Sequence, residues 1–156
     1  MKIDYSYIND LKNILENNKN KRVCVVGTSC TGKTTYLEYA KDGLDMDKII
    51  FPLLSQEEKE YVCQTPWTEE IGKEMDRLVK ERIQIQAGQP VFGTVIIDCD
   101  LIVYLNISEE LLRQRTKSRN VSFDDAKRMK DNIEQELTKT DIPVTRIEVK
   151  DKDYSR

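Results

Sequence analysis

The sequence predicts an α/β fold, in which helices cover both faces of a mostly parallel sheet. Continuous apolar runs alternate along the chain with segments of helical periodicity, as in a parallel sheet whose strands are connected by helices. The runs carry apolar residues at successive positions, which is typical of strands buried on both faces. A length of 156 residues favours a single domain, 1–156, whose core needs no metal or disulfide.

The bulk composition excludes several classes of protein. The chain is 38% hydrophobic and 34% charged, which indicates a folded globular protein rather than a disordered one. A net charge of −3 disfavours a nucleic-acid partner, and no apolar run approaches the ~20 residues of a membrane span. We therefore expect a cytoplasmic protein that acts on small molecules, as a monomer or a homodimer.

Two residue types limit the available chemistry. The chain has no histidine, so the most common general base is missing. The cysteines form no Cys-x-x-Cys pair, and scattered reduced thiols are expected rather than a zinc site. Any catalysis must therefore depend on carboxylates, cations and a metal ion.

The first half of the chain contains two predicted strands. Periodic apolar positions predict a helix over 4–17, which precedes a strand at Val23–Val26. A second helix is expected over 34–40, and Lys48–Phe51 is predicted as the second strand. A glycine-containing loop joins the first strand to the second helix.

Helices are predicted over about 55–88. Ser55 and Glu58 have the spacing of a capping box and should open a short helix. A longer helix is expected to begin at Thr65-Pro66, because proline is tolerated in the first turn, and to end by Gly88.

The second half of the chain begins with apolar residues that run almost without interruption from Val91 to Ile107. Ser108 and Ser122 each stand before a segment of helical periodicity and predict the starts of two further helices. A last strand is predicted at 143–149, and this completes the alternation of strands and helices.

The segment 27–34, which we call the glycine loop, fits the pattern G-x-x-x-x-G-K-[ST]. A loop without bulky side chains allows consecutive backbone N–H groups to surround a phosphate, while a lysine adds a mobile positive charge. Lys33 is therefore also a candidate catalytic residue, and the Thr34 hydroxyl is a candidate ligand of Mg²⁺. The predicted nucleotide-binding residues are Gly27, Thr28, Ser29, Cys30, Thr31, Gly32, Lys33, Thr34 and Thr35.

A magnesium–phosphate site usually has a carboxylate at the end of a neighbouring apolar strand. Asp98 follows the apolar residues 95–97 and is the candidate, either as a metal ligand or as the group that accepts the proton of an acceptor molecule. Asp100 is the alternative, and Asp45 and Asp47 remain as further candidates.

Two arginines follow the second apolar stretch. Arg115 and Arg119 are four residues apart and would share one helical face before 120–123 interrupts the helix. Cations around a short mobile loop can close over a nucleotide and neutralise the charge that develops during phosphoryl transfer. An ordinary solvated helix face would explain the same charges.

The order of strand, Ser108, acidic residues, Leu-Leu-x-x-Arg-x-x-x-Arg, short loop and further helix resembles the lid region of the nucleoside monophosphate kinase family and its small-kinase relatives. Together with the glycine loop, the resemblance covers about 23–40 and 100–149. It implies a three-layer α/β/α P-loop NTPase fold with about five strands and a short helical lid at about 115–128. It also implies an ATP donor with Mg²⁺, and Arg115 and Arg119 over the nucleotide.

The sequence departs from that family within the apolar stretch 91–107. Only two residues separate Asp98 from Leu101, whereas a parallel crossover usually needs about a dozen. Val91–Ile97 and Leu101–Ile107 therefore cannot be adjacent parallel strands. We expect one long strand, or a bent or antiparallel excursion.

Residues that bind an acceptor molecule must then come mainly from the helices at about 55–88. We expect Trp67 to stack on a base, and Arg77 or Arg82 to bind an acceptor phosphate bidentately. A surface helix with one packing tryptophan, whose arginines pair with nearby glutamates, would explain the same residues.

These patterns predict a kinase that transfers the γ-phosphoryl group of ATP·Mg²⁺ to a nucleoside or deoxynucleoside monophosphate. One alternative is a kinase for another acceptor, such as a nucleoside, a small hydroxy acid or a polynucleotide 5′ hydroxyl. A second alternative, from a different class, is a regulatory switch that binds a nucleoside triphosphate and has no acceptor.

Overall fold

The structure, a computed structural model, describes residues 6–31, 33, 36, 37, 43–64 and 68–150. In this part of the chain five strands form one sheet, and every neighbouring pair is parallel. The predicted α/β class with a parallel sheet of about five strands is thereby confirmed. The strands are β1 (Val23–Val26), β2 (Leu44–Asp45), β3 (Val91–Gly93), β4 (Leu101–Ile107) and β5 (Val144–Val149).

The strand order β2-β3-β1-β4-β5 places β1 at the centre of the sheet. Val26, the last residue of β1, is in register with Gly93 of β3 on one side and Tyr104 of β4 on the other. After β3, the chain therefore passes to the other side of β1 before it forms β4. In open parallel sheets, ligands bind at the carboxyl ends of the strands, in the crevice where successive connections run to opposite sides of the central strand.

Helices account for most of the remaining described residues. They are α1 (Ser6–Asn17), α2 (Met46–Ile50), α3 (Gln56–Val62), α4 (Glu69–Arg82), α5 (Glu109–Ser118) and α6 (Phe123–Lys139), with a short 3₁₀ turn at Phe51–Leu53. Lys33, Tyr36 and Leu37 are helical as well. The rest of the helix predicted at 34–40, and the predicted helix start at Thr65-Pro66, lie outside the described residues. Across the described ranges, no helix has both the length and the apolar character needed to cross a membrane.

The predicted helix starts in the second half of the chain are confirmed by side-chain caps. The Ser108 hydroxyl accepts a hydrogen bond from the Leu111 N–H at 3.1 Å, and the Ser122 hydroxyl accepts one from the Asp125 N–H at 3.2 Å. The capping box of α3, between Ser55 and Glu58, is also present. These starts could be predicted because a cap depends on residues only three positions apart.

Helices pack on both faces of the sheet, as the continuous apolar strands predicted. Val23 and Val25 belong to one buried cluster, with α1 and α5. Cys24 and Val26 alternate with them and belong to a second cluster, with α4 and α6. Successive side chains of a strand point to opposite faces, so each residue of β1 contributes to the core. This arrangement is consistent with three layers, α/β/α.

The second predicted strand is wrong. Lys48–Phe51 is helical or in the 3₁₀ turn, and the strand of this region is the shorter Leu44–Asp45. The Asp45 carboxylate accepts a hydrogen bond from the Asp47 N–H at 3.0 Å and caps α2. Met46 and Ile50, four residues apart, are both buried. A short apolar run fits a strand or a helix equally well, and here the cap decides in favour of the helix.

The prediction that the two apolar runs within 91–107 are not adjacent parallel strands is confirmed, because β1 lies between them. The expectation of one long strand, or of a bent or antiparallel excursion, is wrong. β3 ends at Gly93 and β4 begins at Leu101, both parallel to β1 and on opposite sides of it. Residues 94–100 cross between them without a helix, and Val95, Ile97 and Cys99 of this crossover are buried. An extended chain gains about 3.3 Å per residue, so the seven residues 94–100 are long enough to run from the carboxyl end of β3, across one face of the four-residue strand β1, to the amino end of β4.

Candidate functional site

The glycine loop leaves β1 at the centre of the carboxyl edge of the sheet. The Gly27 N–H donates to the Gly93 carbonyl at 3.2 Å and so continues the pairing of β1 with β3. A Cβ atom on Gly27 would lie 2.8 Å from Thr31 Oγ1 and 3.2 Å from the Leu105 backbone oxygen, so the close packing requires glycine. Residues 27–31 and 33 of the loop are described, whereas Gly32, Thr34 and Thr35 lie outside the described residues.

The middle of the glycine loop is held in a strained backbone conformation. Cys30 has a φ of 68°, which for a residue other than glycine costs roughly 1–2 kcal/mol. The buried Arg115 of α5 donates from Nη1 to the Cys30 carbonyl at 2.8 Å. This contact stabilises a turn that the Cys30 backbone alone disfavours.

The Lys33 ammonium group lies inside the glycine loop. It donates to the carbonyls of Gly27 at 2.6 Å and Thr28 at 2.8 Å, and to Thr31 Oγ1 at 3.1 Å. These contacts use all three ammonium donors. Burial lowers the pKa of Lys33 to about 8, although the charge of Asp47 opposes this shift. The group therefore carries most of its charge at neutral pH, in the region enclosed by the loop.

Two carboxylates stand beside this ammonium group, at the carboxyl end of β2. Asp47, and to a lesser extent Asp45, raises the pKa of Lys33 electrostatically. The Asp47 side chain is exposed, but nearby protein atoms remove part of its solvation. This desolvation is the main reason that the pKa of Asp47 is raised. Among the described residues, no group of three or more cysteines or acidic residues forms a metal cage. One or two carboxylates beside bound phosphates are a donor set that suits Mg²⁺, and Asp45 and Asp47 fit that set.

The glycine loop is tethered to the hairpin formed by α5 and α6. The Thr28 side chain, 1% exposed, donates from Oγ1 to the Ala126 carbonyl in α6 at 2.6 Å. Together with the contact between Arg115 and Cys30, this bond joins the loop to both helices of the hairpin. Within the hairpin, the Arg113 guanidinium lies 4.0 Å from the centre of the Phe123 ring. The position of the loop is therefore coupled to the position of the hairpin.

The two arginines expected over the nucleotide differ in their surroundings. Arg115 is buried, and its guanidinium contacts the glycine loop at the Cys30 carbonyl. Arg119 caps the carboxyl end of α5 through its backbone N–H, which donates to the Arg115 carbonyl at 3.0 Å, and its side chain is exposed. The shared helical face predicted from their spacing thus places one arginine in the core and the other at the surface.

A cleft of about 630 Å³ opens next to the glycine loop. Ser29 and Asp47 line it on the side of the loop, α4 and α6 form its walls, and residues 94–96 of the crossover line its base. This volume lies in the range that binds nucleoside-sized or drug-sized molecules. A molecule in the cleft would lie beside the region that the Lys33 ammonium group occupies.

Asp76 of α4 is a half-buried carboxylic acid in this cleft. Burial raises its pKa to about 6, and the nearby Glu136 of α6 adds to the shift, while Lys80 opposes it. Perturbed carboxyl groups in clefts are frequent at functional sites. Asp76 was missed in the sequence, where the only local signal is Gly72, a glycine within the helix and one turn before Asp76 on the same face.

Asp98, the carboxylate assigned to the metal or the acceptor proton, lies at the opposite edge of the sheet. Its Oδ2 contacts Arg22 Nη1 at 3.0 Å, and Arg22 immediately precedes β1. Asp100, the alternative, pairs with the same guanidinium at 3.2 Å. The segment 94–100 returns to the amino edge, so these carboxylates follow a crossover and do not lie at the carboxyl end of a strand, where the assignment had placed them.

The arginines predicted to bind an acceptor phosphate do not line the cleft. Arg77 pairs with Glu74 and Glu81 on its own helix, at 2.6 and 2.7 Å. Arg82 binds Glu58 bidentately at 2.6 and 2.7 Å and also donates to the Leu53 carbonyl, and it thereby joins α4 to α3. Both arginines therefore stabilise helices. Trp67, the predicted stacking residue, lies outside the described residues.

Comparison of the chain with protein-family models and with curated protein sequences gives no match. Any functional assignment therefore depends on the residues and the geometry described above.

Proposed function

We propose that the protein binds a nucleoside triphosphate with Mg²⁺ in the glycine loop and transfers its γ-phosphoryl group to a small molecule held in the cleft. The observation that supports this proposal best is the position of the Lys33 ammonium group. It lies within a tight loop at the carboxyl end of the central strand and beside a cleft of suitable size. In this proposal the three-layer fold is that of a P-loop NTPase.

The glycine loop supplies the binding groups for the phosphates of the nucleotide. Backbone N–H groups of the loop and the start of the helix that follows it would donate to phosphate oxygens. Lys33 would exchange its bonds to the loop carbonyls for bonds to the outer phosphates. Because the ammonium group is already held within the loop, little reorganisation is needed for this exchange.

Mg²⁺ supplies neutralisation of the phosphate charge when it is bound with the nucleotide. The residues that would hold it are Thr34, as the loop pattern implies, and Asp45 or Asp47 at the end of β2. Asp47 has a second role in this proposal, since it lines the cleft and can accept a proton from an acceptor hydroxyl. Metal binding and proton transfer are thus assigned to the same edge of the sheet as the loop.

The α5–α6 hairpin positions the glycine loop and can act as its lid. Arg115 holds the strained turn at Cys30 and is a positioning residue in this proposal. Arg119 has an exposed side chain at the end of α5 and in this proposal supplies a positive charge to bound phosphates when the hairpin closes. Such cations stabilise the charge that develops in phosphoryl transfer.

The experiment that tests the proposal measures Mg²⁺-dependent binding of ATP and the release of ADP in the presence of candidate acceptors. Lys33→Ala should abolish tight binding and ADP release, whereas Lys12→Ala, an exposed lysine on α1, should leave both unchanged. The proposal fails if ATP binds equally well to the Lys33 variant, or if no acceptor ever stimulates ADP release.

A further inference from the structure

The charges of the cleft indicate which acceptor it binds. We propose that the acceptor is an uncharged or cationic nucleoside, phosphorylated on a hydroxyl group, and not a nucleoside monophosphate. The inference rests on the proposed phosphoryl transfer, and it reverses the acceptor expected from the resemblance to monophosphate kinases.

The walls of the cleft suit the flat, weakly polar body of a nucleobase. Apolar side chains come from α2, α4, α6 and the crossover, among them Met46, Met75 and Met129. Methionine side chains adapt to aromatic rings and make favourable sulfur–aromatic contacts. Asn132 and Gln135 of α6 add hydrogen-bonding groups at the rim, which suit a sugar or the polar edge of a base.

The charged groups of the cleft are predominantly acidic. Among the described lining residues are five carboxylates, Asp47, Glu69, Asp76, Asp125 and Glu136, against three cations, Lys73, Arg128 and Lys139. All three cations are exposed, whereas Asp76 and Glu136 are half-buried. The acidic charges are therefore the ones that a bound molecule would meet in a less solvated environment.

Of the three cations that line the described part of the cleft, Arg128 is paired with a protein carboxylate, and Lys73 and Lys139 are exposed to solvent. In the described part of the cleft wall, Arg128 is the one arginine, and its guanidinium lies 3.5 Å from Asp125. Arg77 and Arg82 are held by glutamates outside the cleft. A dianionic monophosphate would lose solvation without gaining a bidentate arginine partner. Asp76 would repel it, and Glu136 adds to this repulsion although its carboxylate forms an ion pair with Lys80 at 3.3 Å, because both members of that pair are partly exposed and the pair is weak.

A neutral nucleoside avoids this repulsion and can use the same carboxylates. Asp76 and Glu136 can accept hydrogen bonds from base amino groups or sugar hydroxyls. In the transfer step, the acceptor hydroxyl oxygen forms a bond to the γ-phosphorus, and the bond from that phosphorus to the β–γ bridging oxygen breaks. The hydroxyl proton passes to the Asp47 carboxylate, and ADP leaves with the electron pair of the broken bond.

The test compares nucleosides with their own 5′-monophosphates, which differ only in the phosphate. Binding of each is titrated by calorimetry to the protein saturated with a non-hydrolysable ATP analogue and Mg²⁺. We expect at least one ribo- or deoxyribonucleoside to bind roughly tenfold or more tightly than its monophosphate. The inference is overturned if every monophosphate binds as tightly as its nucleoside, or if neither series binds while the ATP analogue does.

Variants that remove one charge from the cleft test whether electrostatic repulsion causes the preference for the nucleoside over its monophosphate. Glu136→Gln and Asp76→Asn should each reduce the preference for the nucleoside by roughly threefold or more, because each removes one repulsive charge. Glu81→Gln, on the face of α4 that binds Arg77, is the matched control and should leave the preference unchanged. An unchanged preference in both cleft variants contradicts the electrostatic argument. Binding of the ATP analogue itself, measured in the same titrations, fails only if the proposed nucleotide site is wrong.

Discussion

Burial sets the pH range over which the Lys33 ammonium group is charged. Its pKa is lowered to about 8, so its charge is lost as the pH rises through that value. Phosphate oxygens bind the charged form, and we therefore predict that ATP·Mg²⁺ affinity falls by about tenfold between about pH 7.5 and pH 9.5. Isothermal titration calorimetry at several pH values measures this dependence.

Lys33→Arg provides the control for this pH dependence. Arginine keeps its charge throughout this range, so any affinity that the variant retains should vary little with pH. An equally steep fall in the variant would mean that another group is responsible. The free energy of unfolding changes with pH in the opposite direction to the affinity. Between about pH 8 and pH 10.5 the unfolded chain binds more protons at Lys33 than the folded protein does, so the free energy of unfolding rises with pH.

Asp76 leads to a second prediction at the scale of one residue. Because burial raises its pKa to about 6, the folded protein binds a proton there that the unfolded chain loses above its ordinary pKa near 3.8. Stability contributed by this group is therefore lost as the pH rises from about 4 to about 6. Asp76→Asn should raise the free energy of unfolding at pH 7 by about 1 kcal/mol, after allowance for partial solvent exposure.

Urea denaturation of both proteins at pH 4 and pH 7 measures this effect. The stabilisation of the Asn variant should be present at pH 7 and largely lost at pH 4, where the Asp76 carboxyl of the folded protein is protonated and carries no buried charge. A constant difference at the two pH values would show that the substitution acts through packing rather than through the charge.

At the scale of elements, the hydrogen bond between Thr28 and α6 couples the glycine loop to the α5–α6 hairpin. Thr28→Val removes the bond to the Ala126 carbonyl and keeps the side-chain volume. We predict a loss of about 1 kcal/mol in stability and a several-fold loss of ATP affinity, because the loop is less well positioned. Thermal unfolding and calorimetry measure the two effects.

Thr116→Val is the matched control for that prediction. Thr116 is as fully buried as Thr28, but its hydroxyl donates to carbonyls of its own helix, including Leu112 at 2.9 Å. The same substitution there removes no contact between elements, so ATP affinity should be unchanged. If the two variants lose equal affinity, coupling through the hairpin is not the cause.

Some elements could be predicted from the sequence and others could not, and the difference depends on local capping. The helix starts at Ser55, Ser108 and Ser122 were predictable because their caps are formed by residues three positions apart. The strand predicted at Lys48–Phe51 failed because three apolar residues carry no clear period, and the deciding cap lies upstream at Asp45. Local chemistry thus determines element boundaries where it includes a cap.

The residues that surround the site were harder to predict, because their positions depend on contacts across the whole molecule. The glycine loop is local and was recognisable as a pattern. The cleft joins residues from α2, α4, α6 and the crossover, which are far apart in sequence. Nothing local shows that Arg82 is held by Glu58, or that Arg115 reaches back to the carbonyl of Cys30.

The opposite edges of the sheet give the last prediction, at the scale of the whole molecule. Asp98 and Asp47 both follow apolar residues, but the seven-residue crossover takes Asp98 to the amino edge, where it pairs with Arg22. Asp47 lies at the carboxyl edge and interacts electrostatically with Lys33. We therefore predict that Asp98→Asn leaves Mg²⁺-dependent ATP binding and ADP release unchanged. The Asp98→Asn substitution should lower the free energy of unfolding by at most about 0.5 kcal/mol, because the ion pair is exposed.

Asp47→Asn should instead lower ADP release at least tenfold, since it removes the group proposed to accept the acceptor proton or to hold the metal. Steady-state assays of the two variants at saturating Mg²⁺ make the comparison. A large loss of activity in Asp98→Asn with intact folding would mean that the crossover carries the carboxylate to the site after all, and that the assignment of the two edges is incorrect.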